Sequence, residues 1–161
     1  MRKLFLLRHA QSPSEFDMAD KDRPLSDHGI KQAKTVAPHI QTIDQVLCSN
    51  AVRTKMTFQA MEETGFTSQN TDFLDTLYNA TAGDLLTEIQ KATADNVLVI
   101  AHNPGIHMLA ATLTGKGEPS KIEHLNMAYH PATLAILECP IESWTELQPQ
   151  QNKLIDLIIP D

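Results

Sequence analysis

The stretch Val97-Leu98-Val99-Ile100-Ala101-His102-Asn103-Pro104-Gly105 determines the fold class of this chain. It begins with four consecutive branched apolar residues, which is typical of a strand buried on both faces of a parallel sheet. Pro104 stands where a helix can begin, and Gly115 is the corresponding stop signal. Between them, apolar residues at helical spacing are Ile106, Leu109, Ala110 and Leu113. The pattern predicts a central strand that leads through His102 into a helix.

Strand and helix patterns alternate through the rest of the chain. Short apolar runs predict strands over residues 4–7, 45–48, 133–139 and 154–159. Helical spacing predicts a helix opening at Ser26 that Pro38 bends or ends, and helices over residues 50–63 and 82–92. After Gly115 we expect only strands. This alternation predicts an α/β fold with three layers: a mostly parallel sheet with helices on both faces.

Length and composition limit the class of protein. A chain of 161 residues suits one domain, so we expect a single domain over residues 1–161. A hydrophobic content of 42% and a charged content of 20% are those of a globular protein and exclude disordered and fibrous classes. The net charge of −7 argues against nucleic acid and anionic membranes as partners, because both require clustered Lys and Arg.

The N-terminal segment and the two cysteines indicate in which cellular compartment we expect the protein. The apolar run from Leu4 is four residues long before Arg8, which is too short for a signal sequence or a membrane span. Cys48 and Cys139 lie in separate apolar runs and form neither a disulfide framework nor a metal-ligand cluster. We therefore expect a cytoplasmic protein.

Polar residues follow the predicted strands at the edge where open α/β sheets bind their ligands. Arg8 and His9 follow the first strand, while Ser49 follows the second, with Arg53 one turn into the next helix. His102 follows the central strand, at the mouth of a helix whose free N–H groups face the same crevice. Guanidinium groups match phosphate oxygens in pairs, and an unprotonated imidazole can attack phosphorus. These residues predict a site that handles a phosphoryl group.

The same segments resemble motifs of the histidine phosphatase superfamily. Leu7-Arg8-His9-Ala10 resembles its RHG/RHA signature, and Arg23-Pro24-Leu25-Ser26-x-x-Gly29 resembles the RPLT-x-x-G stretch that follows. Cys48-Ser49-Asn50-Ala51-Val52-Arg53-Thr54-Lys55-Met56-Thr57 is similar to the S-x-x-x-R-T-x-x-T helix start. Leu77-Tyr78-Asn79-Ala80 and residues 99–105 resemble the LY-x-A and GHNPG segments of the short SixA-type phosphohistidine phosphatase branch, with Ala101 in place of the usual Gly.

The resemblance implies a phosphoglycerate mutase-like fold and a phosphatase. At the matched positions, His9 would be the nucleophile that forms a phosphohistidine, which water later hydrolyses. Arg8, Arg53 and His102 would hold the phosphoryl oxygens, and Ser49 would add a contact to the substrate. No metal or other cofactor is expected. The expected partner is a phosphorylated protein, with phosphohistidine as one form, or a small phosphorylated substrate.

The sequence offers several candidates for the general acid. Larger members of the superfamily protonate an alkoxide leaving group with a carboxylate, whereas Asn79 stands in the corresponding neighbourhood here. Asp20 and Asp22 lie between two matched blocks and are the candidates, with Asp75 as a further one. A phosphoramidate expels neutral imidazole once its nitrogen is protonated and is the less demanding substrate, so we favour phosphohistidine on a protein. Two alternatives are a phosphomonoesterase for a small metabolite or another phosphoprotein, and a non-catalytic phosphate-binding module.

Overall fold

The computed structural model describes residues 1–14, 17–40 and 42–161. Its strands are β1 Arg2–Arg8, β2 Ile43–Ser49, β3 Ser68–Leu74, β4 Asn96–Ala101, β5 Thr114–Gly117, β6 Leu134–Cys139 and β7 Asn152–Ile158. Its α-helices are α1 Asp27–Val36, α2 Val52–Glu62, α3 Ala82–Gln90, α4 Gly105–Leu113 and α5 Pro119–Met127. Short 3-10 turns cover Asp20–Asp22, Ala37–His39, Asp75–Leu77 and Trp144–Glu146.

The strands form one seven-stranded sheet in the order β3-β2-β4-β1-β6-β7-β5. β6 runs antiparallel to both of its neighbours, and the remaining pairs are parallel. β4 lies between β2 and β1, and Val97 to Ile100 are fully buried, which confirms the predicted central strand. The carboxyl ends of β1, β2 and β4 are therefore neighbours, with Arg8 paired to Ala101 at the end of the β1–β4 ladder.

Helices cover both faces of the sheet. Leu4 and Leu6 of β1 pack with residues of α3, α4 and α5 in one hydrophobic core. Phe5 and Leu7 point to the other face and pack with residues of α1 and α2 in a second core. Each large apolar side chain buried in this way stabilises the fold by about 1.5–3 kcal/mol. The predicted three-layer α/β architecture is confirmed.

The structure adds elements that the sequence patterns did not predict. These elements are β3, β5 and α5, and α5 makes the expectation of only strands after Gly115 wrong. The helix predicted over residues 50–63 begins later, at Val52. Pro38 lies in the 3-10 turn that directly follows α1, so the predicted effect of this proline is confirmed.

The helices are short. α2 has 11 residues and α1 has 10. A helix needs about 20 predominantly apolar residues to cross a bilayer. None of the helices in the described ranges combines the required length and apolar character.

Candidate active site

His9 directly follows β1 and is buried, with its ring held at both nitrogens. Its Nδ1 atom lies 2.7 Å from the carbonyl oxygen of Ala10. Because a carbonyl oxygen can only accept, Nδ1 carries the proton and Nε2 of the neutral ring has a free electron pair. Nε2 accepts a hydrogen bond from Nε of Arg53 over 3.4 Å. Burial, followed by the positive charges nearby, lowers the pKa of His9 to about 3, so the ring is neutral at pH 7.

Thr57 on α2 connects the segment after β1 to Arg53. Its hydroxyl accepts a hydrogen bond from the backbone N–H of Ala10 over 3.1 Å and donates one to the carbonyl oxygen of Arg53 over 2.8 Å. Both Thr57 and Arg53 are buried. The R-T-x-x-T spacing of α2 thus places the hydroxyl of Thr57 one helical turn after Arg53, where it anchors the residue next to His9.

His102 directly follows β4 and faces His9, with 5.3 Å between the ring centroids. Its Nε2 atom forms a 2.7 Å hydrogen bond with the hydroxyl of Ser49, which is fully buried at the end of β2. Burial and the charge of Arg53 lower the pKa of His102 to about 4, so this ring is neutral as well. When the hydroxyl of Ser49 donates this hydrogen bond to Nε2, the neutral ring carries its proton on Nδ1.

Two buried donors beside His9 lack a protein partner. Nη1 of Arg8 donates to the carbonyl oxygen of Tyr129 over 3.0 Å. Within the described part of the chain, no hydrogen-bond partner reaches Nε of Arg8 or Nδ1 of His102, although both atoms are buried. Buried polar atoms are nearly always hydrogen-bonded in native proteins, so this pair indicates the place of a ligand that offers acceptor atoms.

Asp20, one of the candidate acids, binds Arg53. Nη1 of Arg53 donates to the backbone oxygen of Asp20 over 2.7 Å, and Nη2 lies 3.2 Å from Oδ2. Oδ2 also accepts from the hydroxyl of Tyr78 over 2.6 Å, and Oδ1 accepts from Nε of Arg23 over 3.1 Å. The hydrogen bond from Tyr78, with the nearby arginines, holds the pKa of Asp20 below its ordinary value. The role of Asp20 as a general acid stays a prediction, and these donors weigh against it because they favour the ionised form.

The other acidic candidates have exposed side chains. Asp22 is exposed at the end of the same 3-10 turn. Asp75 is exposed and accepts hydrogen bonds from Lys21 and Asn50. Among the described residues, no group of three or more His, Cys, Asp or Glu side chains is arranged to hold a metal ion.

Tyr78 forms a wall of the site that the sequence reasoning did not single out. Its ring meets that of His102 edge-on at 5.6 Å, and the guanidinium of Arg53 lies 6.0 Å from its centroid. The sequence offered one signal, because Tyr78 lies in the quoted LY-x-A motif directly before Asn79, which is itself exposed. The structure therefore brings together Arg8, His9, Asp20, Ser49, Arg53 and His102 and adds Tyr78, whereas Asp22 is exposed.

Comparisons with known proteins find similar sequences and similar structures. A family model for the histidine phosphatase superfamily (branch 1) matches residues 4–85. An uncharacterised protein of Mycobacterium tuberculosis is 29% identical over 163 residues, which cover 96% of this chain and 99% of that protein. A candidate SixA phosphohistidine phosphatase from Nakamurella multipartitia has a similar structure, with a TM-score of 0.85, 29% identity and coverage of 99% of this chain and 96% of that one. Another from Agrobacterium tumefaciens has a TM-score of 0.80, 25% identity and coverage of 99% of both chains.

Proposed function

The chain belongs to the histidine phosphatase superfamily, in its SixA-type branch, and from this premise we propose that it removes the phosphoryl group from a phosphohistidine of a partner protein. Membership of the family makes it a phosphatase. The finer parts of the proposal are the phosphohistidine substrate, His9 as the nucleophile and a reaction without a metal ion.

One observation carries the assignment of the site. Nε of Arg8 and Nδ1 of His102 are buried without a partner in the described residues; Arg8 directly precedes His9, whose Nε2 is unprotonated, and the ring of His102 lies 5.3 Å from that of His9. A phosphoryl group approached by Nε2 would offer oxygens to both donors. Because these donors are fixed before the substrate arrives, they would stabilise the charge that develops on the transferring group without reorganisation.

The proposed reaction has two steps. The electron pair on Nε2 of His9 attacks phosphorus, and the bond from phosphorus to the substrate nitrogen breaks, with its electron pair staying on that nitrogen. Arg8, Arg53 and His102 hold the phosphoryl oxygens during the transfer. Water then attacks the phosphorylated His9 and releases inorganic phosphate and the free histidine.

The acid–base properties of the site favour a phosphoramidate over an alkyl phosphate. An alkoxide leaving group requires a proton, and general acid catalysis contributes roughly 10²–10⁴-fold to such reactions. Asp20 is held in its ionised form by Tyr78, Arg23 and Arg53. Asn79, in the corresponding neighbourhood of the LY-x-A motif, is an amide and cannot serve as an acid. Imidazole leaves as a neutral molecule once its other nitrogen is protonated, so its departure needs no general acid in the site.

The test compares the native chain with His9→Ala on three substrates: N-phosphoimidazole, an alkyl phosphate and p-nitrophenyl phosphate. We expect the native chain to prefer N-phosphoimidazole over the alkyl phosphate, and His9→Ala to reduce every activity to the uncatalysed rate. His28→Ala, which changes an exposed histidine on α1, serves as the control with unchanged activity. Hydrolysis that survives in His9→Ala would remove His9 as the nucleophile. A native preference for the alkyl phosphate would support the phosphomonoesterase alternative.

A further inference from the structure

We propose that Asp20 selects substrates whose phosphoryl group is carried by an imidazole ring protonated on its other nitrogen, because Asp20 is an anionic hydrogen-bond acceptor that Arg53, Arg23 and Tyr78 fix beside the nucleophile. This inference rests on the proposed function and assigns Asp20 a role other than that of an acid.

The guanidinium of Arg53 places the carboxylate next to the nucleophile. The Nε and Nη2 hydrogens of arginine point to the same side of the planar group. On that side, Nε donates to Nε2 of His9 over 3.4 Å and Nη2 donates to Oδ2 of Asp20 over 3.2 Å. The attacking nitrogen and the carboxylate therefore lie along the same edge of one arginine.

The direction of phosphoryl transfer brings the leaving group towards Asp20. In-line transfer puts the leaving group on the side of phosphorus opposite the nucleophile. Because His9 is buried, a partner protein has to present its leaving group from the solvent side. Asp20 is bonded to the buried Arg53 and its side chain is 54% exposed, so it lies between the nucleophile and solvent. A leaving imidazole on a protein surface would enter from this side.

The hydrogen bonds of Asp20 keep it negatively charged and leave it able to accept one more hydrogen bond. Oδ2 accepts from Tyr78 and Arg53, whereas among the described donors only Arg23 reaches Oδ1. A carboxylate offers about four acceptor positions, so Oδ1 retains one for a substrate. The Tyr78 hydrogen bond and the arginines lower the pKa of Asp20, so the group stays ionised at neutral pH.

Among the described residues, further charged or titratable groups near this carboxylate include Lys21, Asp75 and His102. The amino group of Lys21 lies 5.5 Å from the ring centroid of Tyr78 and is paired with Asp75 at 2.9 Å. His102 packs against Tyr78 edge-on and is neutral because burial lowers its pKa to about 4. In the described part of the chain, Asp20 is the carboxylate paired with Arg53.

The carboxylate would act on the substrate without transferring a proton. Before cleavage, the substrate ring carries the phosphoryl group on one nitrogen and a proton on the other, and the N–H of the second nitrogen donates to Oδ1 of Asp20. Attack by Nε2 of His9 forms a new nitrogen–phosphorus bond and breaks the old one, whose electron pair stays on the leaving nitrogen. The ring then departs as neutral imidazole and retains its single proton. An alkoxide leaving group, by contrast, would gain negative charge next to the carboxylate.

The experiment measures kcat/KM for N-phosphoimidazole and for p-nitrophenyl phosphate with the native chain, Asp20→Asn and Asp22→Asn. We expect Asp20→Asn to lower kcat/KM for N-phosphoimidazole about tenfold, the effect of one charge-assisted hydrogen bond, and to leave or raise it for p-nitrophenyl phosphate. Asp22→Asn removes an equal charge from the end of the same turn and should change neither value. An equal loss on both substrates would show that Asp20 only supports Arg53, which overturns the inference.

The pH dependence of the rate is a second measurement, which Asp20→Asn would leave unchanged if the role of Asp20 were only structural. The native rate with N-phosphoimidazole should fall as pH rises through the pKa of the bound ring, because the ring loses its positive charge. Without the carboxylate this fall should occur at lower pH, whereas an unchanged profile in Asp20→Asn would contradict the inference. A native chain that does not cleave N-phosphoimidazole, or cleaves it equally well after His9→Ala, would instead overturn the proposed function itself.

Discussion

Nε of Arg53 donates a hydrogen bond to Nε2 of His9 over 3.4 Å. This contact joins the residue that follows β1 to the first turn of α2. The relative position of the two side chains therefore depends on how the segment after β1 is attached to α2. Thr57 provides that attachment through its hydrogen bonds to Ala10 and to the carbonyl oxygen of Arg53.

Removal of the Thr57 hydroxyl should lower both activity and stability. Thr57→Val has nearly the same shape, but it leaves the buried N–H of Ala10 without an acceptor, at a cost of about 1–3 kcal/mol in the free energy of unfolding. A displaced His9 should reduce kcat about tenfold or more. Urea unfolding and steady-state kinetics measure the two effects. Thr57→Ser retains the hydroxyl and should restore most of the activity, so a Ser variant as inactive as the Val variant would contradict this account.

The hydroxyl of Ser49 should determine the tautomer of His102. In the native chain we expect the hydroxyl of Ser49 to donate to Nε2 of His102, 2.7 Å away, and Nδ1 of His102 therefore to carry the proton. Ser49→Ala removes that donor and should let the other tautomer become populated, with a lower kcat/KM. Nitrogen-15 NMR of the imidazole rings reports the tautomer directly. The signals of His9, whose Nδ1 donates to Ala10, provide the internal control and should stay unchanged.

The main layers of the fold were predictable because their sequence patterns are strong. Val97 to Ile100 of β4 are all branched and apolar, and α4 follows the strand with apolar residues at helical spacing. β3 was not predictable, since Ser68–Leu74 is an edge strand without fully buried residues and lacks apolar alternation. β5 has only four residues, two of which are glycine, and α5 buries only Leu125. These elements are determined by their tertiary contacts and not by their own patterns.

The site residues at the ends of the strands could be predicted, because the topology of the sheet fixes their position. The hydrogen-bond partners that orient these residues could not be predicted from the sequence. Arg8 donates to the backbone oxygen of Tyr129, and any residue type offers that acceptor. The contact between Asp20 and Tyr78 joins residues 58 positions apart through a loop and a 3-10 turn, whose geometry no periodicity encodes.

The two buried histidines should make the protein less stable in acid. In the folded state the pKa of His9 is about 3 and that of His102 is about 4, whereas an unfolded histidine has a value near 6.5. Between these limits the unfolded chain binds more protons, so the free energy of unfolding falls as pH falls from about 6.5 towards 4. Each histidine contributes up to about 1.4 kcal/mol per pH unit to this slope.

Urea unfolding between pH 7.5 and pH 4.5 measures this slope in the native chain and in His9→Asn. The variant cannot take up a proton at this position and should show a shallower dependence. His28→Asn changes an exposed histidine and should keep the native slope. An identical slope in the native chain and in His9→Asn would show that His9 does not resist protonation in the folded state.

Two glycines in first turns of helices should respond in opposite ways to substitution by alanine, because close packing decides the effect at one and helix propensity decides it at the other. Gly105 begins α4 and is buried, and a Cβ atom placed there would clash with the carbonyl oxygen of Ala80. Gly83 lies exposed in the first turn of α3, where a Cβ would lie 3.7 Å from Oγ1 of Thr81, an ordinary contact. Gly83→Ala should therefore stabilise the protein by about 0.5–1 kcal/mol, because alanine is the better helix former.

Gly105→Ala should instead destabilise the protein by about 1–3 kcal/mol, because backbone atoms cannot move aside as a flexible side chain can. It should also lower kcat, since the start of α4 closely follows His102 and the clash is with Ala80, two residues from Tyr78. Thermal unfolding and kinetics on p-nitrophenyl phosphate compare the two variants directly. If Gly105→Ala were as stable and active as Gly83→Ala, the contact between α4 and Ala80 would not hold His102 and Tyr78 in place.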